Sequence, residues 1–434
     1  MKILIIGNGF DLAHSLPTGY KHFLCYVEEY KRYYVNGNKA IEPPSDKAKA
    51  LKTALNLNEI IEHEFYGLIE KNVWLDYFFK RQTLLGDTWI DCESEIKYII
   101  GLFEDTYIQY GIIHIDPTPV PIFLFFDGFR KSVEHLDVIP NSDCIIQGND
   151  IFNFIDYLFK QLREFTRIFE IYCDCFVNRL VGDYAVKHDL QNLSLQASVS
   201  DRIKNGRIER NRTYNLIKEE ENLDIIKEEY ETLVPLRMFD FDCVLSFNYT
   251  KTFELLYGHK ITKYCYIHGK AQSVKNKTDM IFGIDDTLEN REEENSQFAF
   301  ANFKKYFQRI FYKTGSEYRD WIREMQNPDD NSVHEIHIFG HSLGRTDHEI
   351  FKEFFNINRN SFENGMVIVT IYYHDRKSNI NVIEKVIEMI HKPALIERVH
   401  GENWTIGFKY QHDEESKIIK SDFFKVESGE LKKV

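Results

Sequence analysis

The chain has 434 residues, a formal charge of −14 and 43% hydrophobic residues, which supports two to three domains' worth of core and excludes a disordered chain. The acidic balance argues against nucleic acid held by a general basic surface, and no apolar run of about 18 residues offers a membrane span. Seven cysteines, an odd number without a C-x-x-C pair, read as reduced thiols of a cytoplasmic protein.

The first predicted element is a strand over Lys2–Ile6, whose uncharged, β-branched run suits burial on both faces of a parallel sheet. The run stops after four residues at Gly7-Asn8-Gly9, so it is no signal peptide. A tight turn there is expected to aim backbone N–H groups outward at the carboxyl end of the strand, where open α/β sheets bind phosphates. The strict dinucleotide fingerprint is absent. Leu12 stands at the third glycine position, and residues 20 to 35 are helical in character, with no second strand in the expected place. Gly7-Asn8-Gly9 could then be only a strand-to-loop turn. Asp11, His14 and Thr18, polar groups just beyond it, weigh against that reading.

From Leu51 to Arg237 the pattern is mostly helical, with apolar residues three to four apart over Ile96–Ile108, Ile151–Val186 and Ser198–Leu233. Pro117 to Pro121 reads as a loop, and the Lys- and Glu-rich stretch from Lys218 to Tyr230 as a solvated helix face. Strands resume at Cys243–Ser246, Lys263–His268, Met280–Ile284, Glu335–Phe339 and Met366–Tyr373, with a weaker candidate at Ala394–Val399. The organisation predicted is a discontinuous α/β domain over 1–50 and 238–415, a helical insertion lobe over 51–237, and a charged tail over 416–434 that adds an edge or frays.

Three later strands also end in polar clusters: Phe247-Asn248-Tyr249-Thr250, Ile267-His268-Gly269, and Gly340-His341-Ser342-Leu343-Gly344 followed by Asp347. Parallel strands place their carboxyl ends on one edge, so these clusters and the N-terminal turn could compose one site. Blander readings stand beside each. Asn248 could cap the following helix, and His268 could be a satisfied buried histidine. His334, His337 and His341 suggest a metal, but along a strand His334 and His337 point to opposite faces, so no metal is expected. Ser342 in Gly-His-Ser-Leu-Gly matches the nucleophile elbow of α/β hydrolases, with His348, His374, His391 or His400 as base and Asp347 or Asp375 as acid. That reading leaves the N-terminal glycine turn unexplained.

Ile-Gly-Asn-Gly-Phe-Asp-Leu-Ala-His at 6–14, with Leu-Pro-Thr at 16–18, resembles the signature of the AbiH family of bacterial phage abortive-infection proteins. Phe247 to Thr250, Ile267 to Gly269 and Gly340 through Asp347 fall in the family's order. Trp89-Ile90-Asp91-Cys92-Glu93 resembles its Trp-x-x-x-Glu element. The likeness spans residue 1 to about 375 and is most specific at its N-terminus. More distantly, the order is similar to sirtuin-like domains of antiphage systems. Gly7 and Gly9 match their glycine turn, Asn248 their strand-end Asn, His268 their His-Gly, and Ser342 with Asp347 their Gly-x-Ser and Asp. Two departures, Asp11 in the glycine turn and Thr250 where those domains have an Asp, argue with the missing zinc-ribbon cysteines against protein deacylation.

The resemblance implies a Rossmann-like, largely parallel sheet that binds NAD, with Asn248 and His268 at the cleaved glycosidic bond. Gly7, Asn8, Gly9, Asp11, His14, Thr18, Gly340, Ser342 and Asp347 would bind the cofactor. Nicotinamide is cationic in NAD and leaves neutral, so no general acid is needed, and the transition state is oxocarbenium-like. An Asn can hold a ribose hydroxyl or orient water, and a His near neutrality can take the proton. A phage or host component would be the trigger, and a homo-oligomer stays open. A non-catalytic nucleotide-binding sensor or toxin is the alternative.

Overall fold

The structure is a computed structural model that describes residues 1–14, 16–35, 38–39, 59–85, 91–109, 151–182, 241–257, 261, 263–273, 278–284, 300–327, 330, 332–357, 365–401, 405–410, 424–427 and 430–433. The chain divides into two compact units. One holds Met1–Pro17, Asn178–Ile267 and Gly315–Val434; the other holds Thr18–Val177 and His268–Thr314. The helix expected over Ser198–Leu233, the loop at Pro117–Pro121, the solvated face from Lys218 to Tyr230, and Trp89 and Ile90 lie outside the described residues.

The first unit carries a six-stranded sheet of β1 (Lys2–Ile6), β2 (Cys243–Ser246), β3 (Lys263–Tyr266), β4 (Val333–Phe339), β5 (Met366–Tyr373) and β6 (Ile406–Tyr410). Its spatial order is β3-β2-β1-β4-β5-β6, and every neighbouring pair is parallel. This is the strand order of the doubly wound dinucleotide-binding sheet, and the winding reverses between β1 and β4. The alternation of side chains explains the apolar run of β1. Ile3 and Ile5 enter one core and Leu4 and Ile6 the other, so both faces are covered and none of these four positions tolerates a charge. Each such side chain contributes roughly 1.5–3 kcal/mol when buried.

The helices of this unit are α1 (Asn8–Ala13), α2 (Thr252–Tyr257), α3 (Tyr318–Met325), α4 (His348–Phe355), α5 (Arg376–Ile390) and α6 (Lys392–His400). Helices α3, α4 and α5 pack on the Ile3 and Ile5 face, while Phe10 of α1 and Phe253 of α2 pack on the Leu4 and Ile6 face. A capping box starts α5: the Ser378 N–H donates to Asp375 Oδ1 at 2.6 Å, and the Asp375 N–H to Ser378 Oγ at 3.0 Å. Residues 424–427 and 430–433 form a hairpin that pairs with itself rather than adding an edge to the sheet.

Two predicted strands are corrected. Ala394–Val399 lies within α6, and the edge strand is Ile406–Tyr410 instead. A short apolar run does not distinguish the two, and Pro393 in the first turn favours the helix. Met280–Ile284 forms no strand beyond a single bridge from Ile284 to Lys304. Its backbone groups are satisfied individually. Arg163 donates to Met280 O at 2.8 Å, Ile281 N–H donates to His268 O at 2.8 Å, and the Gln308 amide bonds both polar groups of Phe282.

The second unit is helical, over Tyr20–Tyr33, Glu59–Glu70, Val73–Leu85, Cys92–Gln109, Ile151–Ile171 and Lys305–Tyr312. Its core is aromatic: Phe23 meets Phe165 and Phe169, Tyr30 meets Phe65 edge-on, and Trp74 stacks on Phe78. The last long helix passes into a π-helical turn over Tyr172–Asn178. Arg167, Glu170 and Asp174 follow one face of this element and hold the segment after His268. Arg167 donates to Ser273 O at 2.8 Å, Glu170 accepts from Gln272 N–H, and Asp174 accepts from the Ser273 N–H and hydroxyl.

Candidate functional site

Open α/β sheets bind ligands outside the strand carboxyl ends, at the point where the winding reverses. In this chain that point lies between Ile6 and Phe339, the last residues of β1 and β4. The two ends touch backbone to backbone. Gly7 N–H donates to Phe339 O at 3.1 Å, and Gly9 N–H donates to Gly340 O at 2.8 Å. A Cβ on Gly9 would lie 2.8 Å from Gly340 Cα, and one on Gly340, where φ is +65°, would lie 2.2 Å from Phe10 N. The glycines therefore serve close packing of the two loops. The expectation that this turn aims its N–H groups at a phosphate is corrected for Gly7, Gly9 and Phe10, whose N–H groups are spent on Phe339, Gly340 and Gly7.

Asn248 follows β2 and reaches back to the same turn, its Nδ2 donating to Gly7 O at 3.0 Å. It does not cap a helix, because α2 begins only at Thr252. Asp11, in the first turn of α1, is 1% exposed and accepts a hydrogen bond from the Thr250 hydroxyl, while its Oδ1 is buried without a hydrogen bond. Burial pushes its carboxyl up to about 6, against the pull of Thr250, Thr252 and Asn248, which favour the charged form.

His14 is buried, and its two ring nitrogens are engaged. Nδ1 faces Phe10 O at 2.8 Å and so carries the proton, and Nε2 accepts from the Tyr257 hydroxyl at 2.7 Å. Neither nitrogen faces Asp11. At the end of β4, His341 Nδ1 accepts from Leu343 N–H at 2.9 Å, which places its proton on Nε2, 3.4 Å from Asp347 Oδ2. The ring lies between Phe247 and Phe351. Sequence reasoning placed His341 in a strand-end polar cluster and weighed it as a metal ligand, but gave it no part in the site. The signal for its pairing was Asp347 six residues on, across the glycine-flanked loop. The other two histidines weighed for a metal go to separate partners: His334 to the Met1 amine at 3.0 Å, His337 to the Tyr372 hydroxyl at 3.1 Å.

Ser342 is exposed, and among the described residues no histidine bonds its hydroxyl. Leu343, not Ser342, is the non-glycine residue of this loop with a positive φ, and His348 Nε2 is bonded to Leu343 O. The geometry of a nucleophile elbow with its base is not assembled around this serine. Asn8 is exposed on α1. Thr18 and His268 belong to the second unit. His268 is buried and its carbonyl accepts from Ile281 N–H. Glu93, in the same unit, pairs with Lys305 Nζ at 2.6 Å.

The model of the bacteriophage abortive infection family AbiH matches residues 3–369. The chain belongs to the AbiH family. Membership assigns it to phage abortive infection, and the matched span runs from the first strand of the sheet into β5. No curated protein and no solved structure compared with it matches the chain. Among the described residues, no helix is long and apolar enough to cross a membrane.

Proposed function

We propose that this AbiH chain binds a nucleotide, NAD, at the carboxyl end of its parallel sheet and hydrolyses the bond between nicotinamide and ribose. The observation that carries the reading is the strand order, with its reversal between β1 and β4, the position at which this architecture binds dinucleotides. Asn248 has an Oδ1 acceptor that takes no hydrogen bond among the described residues, suited to a ribose hydroxyl or an attacking water. Ser342 offers an exposed hydroxyl at the end of β4. The two departures from the sirtuin-like pattern meet each other, since Asp11 is bonded to Thr250. A carboxyl thus stands beside the β2 loop although the loop contains none.

In the reaction, water adds to the ribose carbon as the glycosidic bond breaks. Neutral nicotinamide takes the bonding pair, and the water proton passes to a base. His14 has both nitrogens engaged, so the reading gives the base's part to His268, which follows β3 by two residues. General-base help of this kind is worth about 10²–10⁴ in rate.

The test is chromatography of NAD incubated with purified protein, with and without an extract of phage-infected cells, beside a thermal-shift measurement with NAD. Equal appearance of nicotinamide and ADP-ribose is expected. Thermal stabilisation without release would support the non-catalytic sensor. Neither release nor stabilisation in either condition would overturn the nucleotide reading.

A further inference from the structure

A guanidinium is costly to bury, and the usual compensation is a carboxylate. Arg167 follows that rule, with Glu64 and Glu170 as partners. Arg163, one turn earlier in the helix Ile151–Ile171, does not. Its Nη1 donates to Met280 O at 2.8 Å and its Nη2 to Thr278 O. Its Cζ sits over the Tyr312 ring, 4.5 Å from the centroid, and among the described residues it pairs with no carboxylate. The fork is spent on two carbonyls that flank Asp279. Asp279 and Ile281 in turn meet the His-Gly pair. Ile281 N–H donates to His268 O at 2.8 Å, and a Cβ on Gly269, where φ is +75°, would lie 2.6 Å from Asp279 O. The helix Lys305–Tyr312 completes the arrangement, since Gln308 bonds both backbone polar groups of Phe282 and Tyr312 backs the guanidinium.

We propose that Arg163 is a positioning residue that sets the place of His268 by gripping Thr278 and Met280, the residues on either side of the contact on which His268 and Gly269 rest. The part of His268 as base rests on the reading above; the placing of the histidine does not. A base must stand within hydrogen-bond reach of the proton it takes, so its backbone has to be fixed. Sheet pairing does not fix this segment, whose one bridge is Ile284 to Lys304. A planar fork can hold two carbonyls at once in a set geometry, which a lysine ammonium does not reproduce. That accounts for an arginine without a carboxylate.

Arg163→Met, Arg163→Lys and a stability control, Arg81→Met, test this. Arg81 forks onto Glu95 in the same unit and bonds none of the residues above. The His268 ring is followed by NMR with ring-labelled histidine, identified as the signal lost in His268→Ala, and nicotinamide release from NAD gives kcat and KM. In Arg163→Met the His268 signal should move or broaden. There kcat should fall about hundredfold, the scale of a reacting group displaced by about 1 Å, with KM within about threefold. Arg163→Lys should show the same changes to a smaller extent. Arg81→Met should lower the melting temperature and leave the signal and kcat as in the wild type. An unchanged His268 signal in Arg163→Met, or in Arg163→Lys should the first not fold, would overturn the proposal. So would an equal movement of the signal in Arg81→Met. Failure of both Arg163 variants to fold would also overturn it, marking a structural tie. If the signal moves as expected but the wild type releases no nicotinamide, the placing of His268 stands and its reading as a base falls.

Discussion

Gly9 and Gly340 meet backbone to backbone, the N–H of one 2.8 Å from the carbonyl of the other, and neither position has room for a side chain. The contact joins the ends of β1 and β4, where the sheet reverses its winding. Everything else at this edge is arranged around it: Asn248 bonds Gly7 from the β2 side, and the His341–Asp347 pair stands on the β4 side.

A methyl group at Gly340 should be costly. Its positive φ and the approach of Phe10 N predict that Gly340→Ala loses about 2–5 kcal/mol, the sum of a left-handed backbone penalty and overpacking. Gly344→Ala is the control, with φ at −59° and nothing nearer than 3.7 Å, and should stay within about 0.5 kcal/mol. Urea midpoints of the two variants measure both.

Asp11 makes stability depend on pH. Its folded value of about 6 exceeds the ordinary 3.8, so the fold favours the protonated form. This contribution is full below about pH 4 and is lost as pH rises through about 6, amounting to about 3 kcal/mol for a shift of about two units. Asp11→Asn lacks the titration. Its stability relative to the parent should therefore improve by about that amount between about pH 4 and pH 7; parallel curves would contradict the assignment.

Arg167 neutralises a buried acid in the helical unit. It bonds Glu170, 1% exposed, at 2.8 Å, and Glu64 at 2.8 Å. Arg167→Ala should cost roughly 3–5 kcal/mol by leaving Glu170 buried without its cation. Replacing both Arg167 and Glu170 by Met should cost less than Arg167→Ala alone, which calorimetric unfolding of the three proteins would reveal.

Ser342→Ala should leave stability within about 0.5 kcal/mol, because the side chain is exposed and makes no hydrogen bond among the described residues. It should also keep phage defence, at most with weaker ligand binding. A fluorophosphonate probe should not label the parent protein. Stoichiometric labelling at Ser342 would restore the hydrolase reading.

Asn248→Ala and His268→Ala should abolish phage defence while the proteins remain folded. Plating efficiency of phage on cells carrying each variant is the measurement, read beside the melting temperature. A variant that melts far below the parent would return that residue to a structural role.

The sequence by itself determined five of the six sheet strands and the polar residues at their ends. Lys2–Ile6, Cys243–Ser246 and Met366–Tyr373 are legible because burial on both faces demands a largely apolar run, and Gly7 marks where the first of them stops. These are local demands, met by neighbours in the chain. Only the tertiary structure decided which polar groups meet. Asp11 bonds Thr250, Asn248 bonds Gly7, and His14 spends both nitrogens on Phe10 and Tyr257. It also decided that Met280–Ile284 satisfies its backbone through Arg163 and Gln308 instead of a sheet. A buried donor or acceptor must find a partner, but any partner of the right chemistry will satisfy it. Sequence shows that the need exists; the order of strands in the sheet, which brings residue 11 to residue 250, decides how it is met.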